Sequence, residues 1–233
     1  MRIGKMLQSE QSCKAMSTTL EIAPANRADT REGSGTNAAK RRQILDGARR
    51  VFLAHGFDGA SMGEIARAAG VSKGTLYVYF DSKEALFEAL IVEERHSLAE
   101  VLFQLDADDP DPRSVLRRLG LSFLQIMVRP EHIASVRMVI GAAEKFPRFG
   151  KSFYEAGPLQ GARRLKAYLD AQVQVGRLRI GDTHLAANQF LDLCQSGILR
   201  RVLLAGEVPT ADEMAQNVDA AIQMFFAAYG PQG

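Results

Sequence analysis

Residues 61–83 read SMGEIARAAGVSKGTLYVYFDSK, and the rest of the chain is organised around them. Ser61 with Glu64 three residues later has the spacing of a capping box, in which the hydroxyl takes an orphan backbone N–H and the carboxylate reaches back. Ile65, Ala66 and Ala69 then supply an apolar face at i, i+1 and i+4, enough for a short helix. Gly70 follows, where a positive φ costs glycine least. Val71 is an apolar plug after the turn, and Ser72 can cap a second short helix. There Val71, Leu76 and Phe80 share one side, which leaves Lys73, Thr75, Tyr77 and Tyr79 facing outward. This is the grammar of a helix-turn-helix.

The outward set carries chemical information. A solvated helix face is usually rich in Glu, Lys and Ala, and two tyrosines there leave aromatic surface in water with no structural gain. Against a duplex the same residues have work to do. Lys and Thr reach base edges, and Tyr packs on a thymine methyl or donates its hydroxyl to a phosphate. The competing interpretation is an ordinary helix hairpin with Tyr77 and Tyr79 packed on a neighbour.

Gly70 to Glu84, GVSKGTLYVYFDSKE, resembles the recognition helix and the start of the fourth helix in the tetracycline-repressor (TetR) family. The likeness runs from Asn37 to Ala85. It implies that Lys73, Gly74, Thr75 and Tyr77 face the major groove of operator DNA and that Ser61, Tyr79 and Lys83 hold phosphates. It also implies an all-α fold: a three-helix DNA-binding domain followed by a larger helical domain for ligand binding and dimerisation, about nine helices in total. The boundaries drawn on this basis are a flexible tail over 1–35, the helix-turn-helix domain over 36–82 and the ligand-binding and dimerisation domain over 83–233.

Charge distribution agrees with a polyanionic partner. The 233 residues carry a formal charge of only +2, yet residues 37–83 hold eight Lys/Arg against four Asp/Glu, while residues 84–233 hold 16 against 19. The basic surplus coincides with the helix-turn-helix. Apolar residues at 46% and charged residues at 24% are those of a globular protein with a real core. No stretch approaches the roughly 20 apolar residues of a membrane span, and no secretory h-region is evident, so a cytoplasmic protein is expected. Cys13 and Cys194 have no metal-ligand spacing, and Cys194 reads as a small buried hydrophobe.

Before the motif, residues 1–35 lack a sustained period and end in Gly-Ser-Gly, with Lys14, Arg27 and Arg31 as basic residues of a candidate DNA-contacting arm. From Asn37 to His55, Ile44, Ala48, Val51, Phe52 and His55 form one stripe, with Lys40, Arg41, Arg42, Arg49 and Arg50 on other faces and Gly56 as the stop. After the motif, a long helix spans 82–105, with Lys83 in its first turn, where helix-end N–H groups favour an anion. Helical patterns then cover 112–128, 130–143, 151–175 with an interruption at Gly157-Pro158, 183–204 capped by Asp182, and 211–229 capped by Thr210 with Glu213. The run FPRFGKSFYEAGP resembles the AefR-like branch of the TetR family.

Two regions beyond the motif suggest function. Phe103, Phe123, Met127, Met138, Phe149 and Tyr154 could line an apolar effector cavity, with His132, Arg137 and Glu144 as polar anchors. The last two long helices could complete the core, or pair with the same helices of a second chain as a four-helix bundle; the resemblance favours the homodimer, through Phe190, Cys194, Ile198, Val218, Ile222 and Phe225. Glu93-Glu-Arg-His96 contains an E-x-x-H fragment of di-iron bundles, but no second copy exists and no other catalytic motif is present, so no metal and no cofactor are expected. A helical enzyme with a helix-turn-helix-like hairpin is the alternative reading. A repressor released from a palindromic operator by a small, apolar or amphipathic effector is the expected function.

Overall fold

Short-range signals set most of the helix starts. In the computed structural model, which describes residues 30–231 (backbone alone for 30–35), the chain is helical throughout, with eleven helices and no strand among the described residues. They are α1 (Thr30–Gly59), α2 (Met62–Ala69), α3 (Lys73–Tyr79), α4 (Lys83–Leu102), α5 (Pro112–Met127), α6 (Pro130–Ala143), α7 (Pro147–Ala156), α8 (Pro158–Gln174), α9 (Thr183–Gln195), α10 (Ile198–Ala205) and α11 (Ala211–Tyr229). Ser61, Ser72, Ser82, Asp111, Asp182 and Thr210 each accept an orphan N–H of the helix that follows. Prolines open α5, α6, α7 and α8, where the missing N–H has no intrahelical partner to lose.

The count exceeds the expected nine because two long patterns are broken. Gly157 separates α7 from α8, and Gly197, with φ 76°, separates α9 from α10. The first break falls at the interruption expected at Gly157-Pro158; across the second the apolar pattern continues, so periodicity alone merges α9 and α10. α7 also starts at Pro147 rather than near Lys151, and α4 ends at Leu102 rather than 105.

Contacts divide the chain into residues 1–38 and 39–233. Of the first unit only 30–38 are described, and their backbone is helical through Gly33-Ser34-Gly35, where a flexible tail was expected. Lys14, Arg27 and Cys13 lie outside the described residues, as does the Arg31 side chain. In the second unit α1 continues past the expected stop. The chain kinks at Gly56, with φ 69°, and makes one further turn to Gly59. His55 is exposed, so the buried stripe of α1 is Ile44, Ala48, Val51 and Phe52 without it.

Two apolar cores organise residues 39–233. One unites α1–α3 and the first half of α4 with Val139 of α6 and Phe149 of α7. The other is built from α5, α8, α9 and α11, with Ile133, Ile198 and Val202. Helix α5 crosses α9 and α11 closely: a Cβ on Gly120 would stand 2.9 Å from both Cys194 Sγ and Val218 Cγ1. The residues expected at a subunit seam are in this second core. Phe190, Cys194, Ile198, Val218, Ile222 and Phe225 are all buried within one chain, and Phe190 and Phe225 meet edge-on at 5.3 Å. The reason is that an apolar helix face is satisfied by whichever element reaches it first, and here α5 and α8 of the same chain do. Burial also pushes the Cys194 thiol up to about 12.

Candidate nucleic-acid interface and apolar cavity

The capping box at Ser61 is complete: Ser61 Oγ accepts from Glu64 N at 3.3 Å, and the Glu64 carboxylate accepts from Ser61 N at 3.1 Å and Oγ at 2.7 Å. That second bond occupies the hydroxyl proton a phosphate contact from Ser61 would use. Gly70 closes α2 at φ 64°, with its N–H on Ala66 and Arg67 carbonyls. Helices α1 and α2 touch: a Cβ on Gly47 would sit 2.6 Å from Ala69, so no larger residue fits that crossing.

Ser72 caps α3 through Thr75 N at 3.0 Å and shares a 2.8 Å hydroxyl contact with Thr75 Oγ1. The exposed face of α3 is Lys73, Gly74, Tyr77 and Val78, with Tyr77 49% and Val78 82% accessible. This corrects the outward set read from sequence. Positions 73, 75, 77 and 79 alternate with period two, which suits a strand; a helix groups i, i+1, i+4 and i+5. Thr75 and Tyr79 are therefore half-buried flanks, and Tyr79 leans on the core under α3. Val78 was missed, although its place beside Tyr77 in this register marks it.

Several basic side chains hold the head together. Lys83 Nζ donates to the carbonyls of Phe57 at 2.8 Å, Ala60 at 3.0 Å and Asp58 at 3.3 Å, and lies 4.6 Å from the Phe57 ring centroid. Its three donors thus cap the end of α1, a role its place in the first turn of α4 does not reveal. Arg50 donates to the Ala68 carbonyl, and Gln43 to that of Ala69 at 2.6 Å. From α4, Glu93 and Glu94 pair with Arg41 at 3.4 Å and Arg49 at 2.6 Å of α1. Glu93 is thereby taken up, and His96 pairs with Glu100 on the surface at 3.5 Å. Among the described residues no cluster of His, Cys, Asp or Glu could hold a metal.

The next residue of α4, Arg95, turns the other way. It is 5% exposed, donates to His132 Nδ1 at 2.8 Å and Ser135 Oγ at 3.0 Å, and stacks over Phe153 at 4.5 Å. With His132 it lines a cavity of about 270 Å³ walled by Leu98, Leu102, Phe103, Phe123, Met127, Val136, Phe153, Leu191 and Leu199. Burial, and then the Arg95 charge, pull the His132 imidazole down to about 3, so it is neutral at physiological pH. Because a guanidinium only donates, Nδ1 accepts and the His132 proton sits on Nε2.

Four expected pocket residues, Phe103, Phe123, Met127 and His132, line this cavity, and Met138 lines an adjoining one of about 330 Å³. Four do not. Arg137 donates to the Val202 and Leu203 carbonyls at the end of α10, Glu144 is exposed, Tyr154 is 56% exposed, and Phe149 is buried in the core under the head. Arg95 was missed. Its signal was a charge in apolar register, between Ile91 and Leu98, Ala99 and Leu102.

Residues 44–90 match the family model described as bacterial regulatory proteins, tetR family, and residues 114–231 match that of the AefR-like transcriptional repressor, C-terminal domain. The HTH-type transcriptional repressor Rv1474c of Mycobacterium tuberculosis is 31% identical over 74% of this chain and 86% of its own length. Among solved structures, a TetR-family regulator from Mesorhizobium loti superposes with TM-score 0.79 at 26% identity, covering 83% of this chain and 98% of that one. The flavonoid-responsive regulator FrrA superposes with TM-score 0.72 at 34% identity, covering 84% and 100%. Among the described residues no helix is long and apolar enough to cross a membrane. The chain belongs to the TetR family, with an AefR-like C-terminal domain, and is a helix-turn-helix transcriptional regulator, not an enzyme.

Proposed function

We propose that this protein is a homodimeric repressor that binds a palindromic operator in the cytoplasm and releases it when a small amphipathic effector fills the cavity beside Arg95. The observation that carries the DNA reading is the exposed face Lys73, Gly74, Tyr77 and Val78 of α3. Lys73 and Tyr77 read base edges, Val78 suits a thymine methyl, and Thr75 reaches from the flank. A Cβ on Gly74 would meet nothing closer than Ser72 Oγ at 3.7 Å, so no internal contact requires glycine there. A groove that approaches the backbone does. Tyr79 flanks this face as a phosphate contact; Ser61, whose hydroxyl proton is held by Glu64, would have to give up that bond to act as one.

Release follows from α4. Glu93 and Glu94 grip α1 while Arg95 lines the cavity, so an effector that shifts this turn alters the head it is tied to. Its leverage is limited to its differential affinity for the two arrangements. The relative FrrA is named as flavonoid-responsive, which supports an effector with an apolar body.

For the dimer, we assign the outward residues of α9 and α11: Leu185, and Met224 with its alanine neighbours Ala220, Ala227 and Ala228. A charge at Phe225 would report on folding instead. The parent should scatter light as twice 25.5 kDa and footprint an inverted repeat near its own reading frame, with half-sites about one helical turn or a multiple apart. Met224→Asp should give a folded monomer with weakened operator binding. A monomeric parent, or protection without two-fold symmetry, refutes the proposal.

Lys83 was expected to hold a phosphate, and its capping of α1 predicts something else first. Lys83→Ala should cost about 2 kcal/mol and lower Tm by about 5 °C, because three carbonyls lose a charged donor. An unchanged Tm, with operator and random DNA weakened alike, would restore the phosphate role.

A further inference from the structure

Arg95 is the one buried cation among the described residues, and the fold supplies it with no carboxylate. Its partners are an imidazole, a hydroxyl and a ring face, all neutral, and its Nε–H has no acceptor among the described residues. The acids nearest along the chain are engaged elsewhere, Glu94 by Arg49 and Glu93 by Arg41. Asp192, at the cavity rim, is exposed and accepts from Gln195. An arginine does not escape burial by losing its proton, and the Glu94 charge, shared with Arg49, offsets its desolvation only in part. The site is also shaped for it: a Cβ on Gly157 would crowd Arg95 Cδ to 3.2 Å. On the same wall His132 has its proton on Nε2, a second donor, while the rest of the lining is mostly apolar, with Asn188, Asp192 and Gln195 as its other polar residues.

We propose that the effector is an amphipathic organic anion: an aromatic or aliphatic body in the apolar part of the cavity, and an ionised oxyacid group on Arg95 and His132. This rests on the cavity being the effector site, and adds the charge of the occupant. Arg95 supplies guanidinium N–H donors, whose charge-assisted bonds to an oxyanion are stronger than neutral ones. His132, neutral, donates without repelling a cationic neighbour. A neutral ligand of equal shape would leave the guanidinium without a counter-charge and bind less well. The neighbouring Glu93 and Glu94 clamps put the anion's pull on Arg95 within one turn of the contacts to α1.

The test uses two fluorescent probes with one ring skeleton, 8-anilinonaphthalene-1-sulfonate and the uncharged N-phenyl-1-naphthylamine. The parent should bind the sulfonate at least about tenfold more tightly, a difference one charged pair readily supplies. Arg95→Met should abolish that preference with the uncharged probe still bound, and Arg95→Lys should keep part of it. Val136→Trp, which fills the cavity, should exclude both probes. Equal affinities in the parent, or a sulfonate preference that survives in Arg95→Met, overturns the anion assignment. If the uncharged probe ignores Val136→Trp, or neither probe binds the parent, the cavity reading itself is wrong and the anion assignment goes with it. Because the parent comparison needs no variant, a poorly folding Arg95→Met leaves the proposal still open to refutation.

Discussion

Phe149→Ala is expected to destabilise the protein by about 3–5 kcal/mol, far more than its place in a short connecting helix suggests. The ring is fully buried and meets Phe57 at 5.2 Å, Phe87 at 5.0 Å and Phe146 at 5.1 Å, two of these pairs edge-on. Phe57 belongs to the last turn of α1, Phe87 to α4, and Phe146 and Phe149 to the start of α7. One ring therefore joins the DNA-binding head to a segment some ninety residues further along the chain. Removing it leaves a cavity and forfeits aromatic pairs worth about 0.5–1.5 kcal/mol each beyond their area. Urea denaturation measures the loss. Phe149→Leu should cost markedly less, and Tyr154→Ala, on the exposed side of the same helix, should stay within about 0.5 kcal/mol. If Phe149→Ala were no worse than Tyr154→Ala, the head would not depend on α7.

Phe149 also marks where sequence reading stops. The caps at Ser61, Ser72, Asp182 and Thr210, and the turn at Gly70, were legible because each depends on residues within one helical turn. The same locality made the helix-turn-helix recognisable. Apolar periodicity identifies which face of a helix must be covered and says nothing about what covers it. Phe149 was accordingly expected in the cavity and lies under the head, while Phe225 was expected at a seam and is sealed by its own chain. Lys83 and Arg137 failed for a related reason. A long basic side chain on a helix reads as free charge, yet both end on backbone carbonyls of distant helix termini. Arg95 was hidden in the opposite sense, a charge inside an apolar stripe that a pattern search discounts.

Tyr77→Ala should weaken operator binding by about 1–3 kcal/mol, roughly 5- to 150-fold, with melting temperature unchanged. The argument begins with exposure. Half of the Tyr77 surface is accessible, its hydroxyl makes no hydrogen bond among the described residues, and Leu76 beside it takes the buried position in α3. Truncating it therefore removes nothing the fold uses. Tyr79→Ala differs, because that ring leans on the head core: it should lower stability as well as affinity. Lys73→Ala should narrow the gap between operator and random DNA, since an exposed lysine at the start of α3 reaches base edges. Fluorescence anisotropy on operator and scrambled duplexes at several salt concentrations separates these effects. A base reader lowers specificity at every salt concentration, whereas a phosphate contact flattens the slope of log K against log[salt] by about one. A Tyr77→Ala protein that binds its operator as well as the parent, or that melts early, would mean that the face of α3 carrying Lys73, Gly74, Tyr77 and Val78 is not the one that enters the groove.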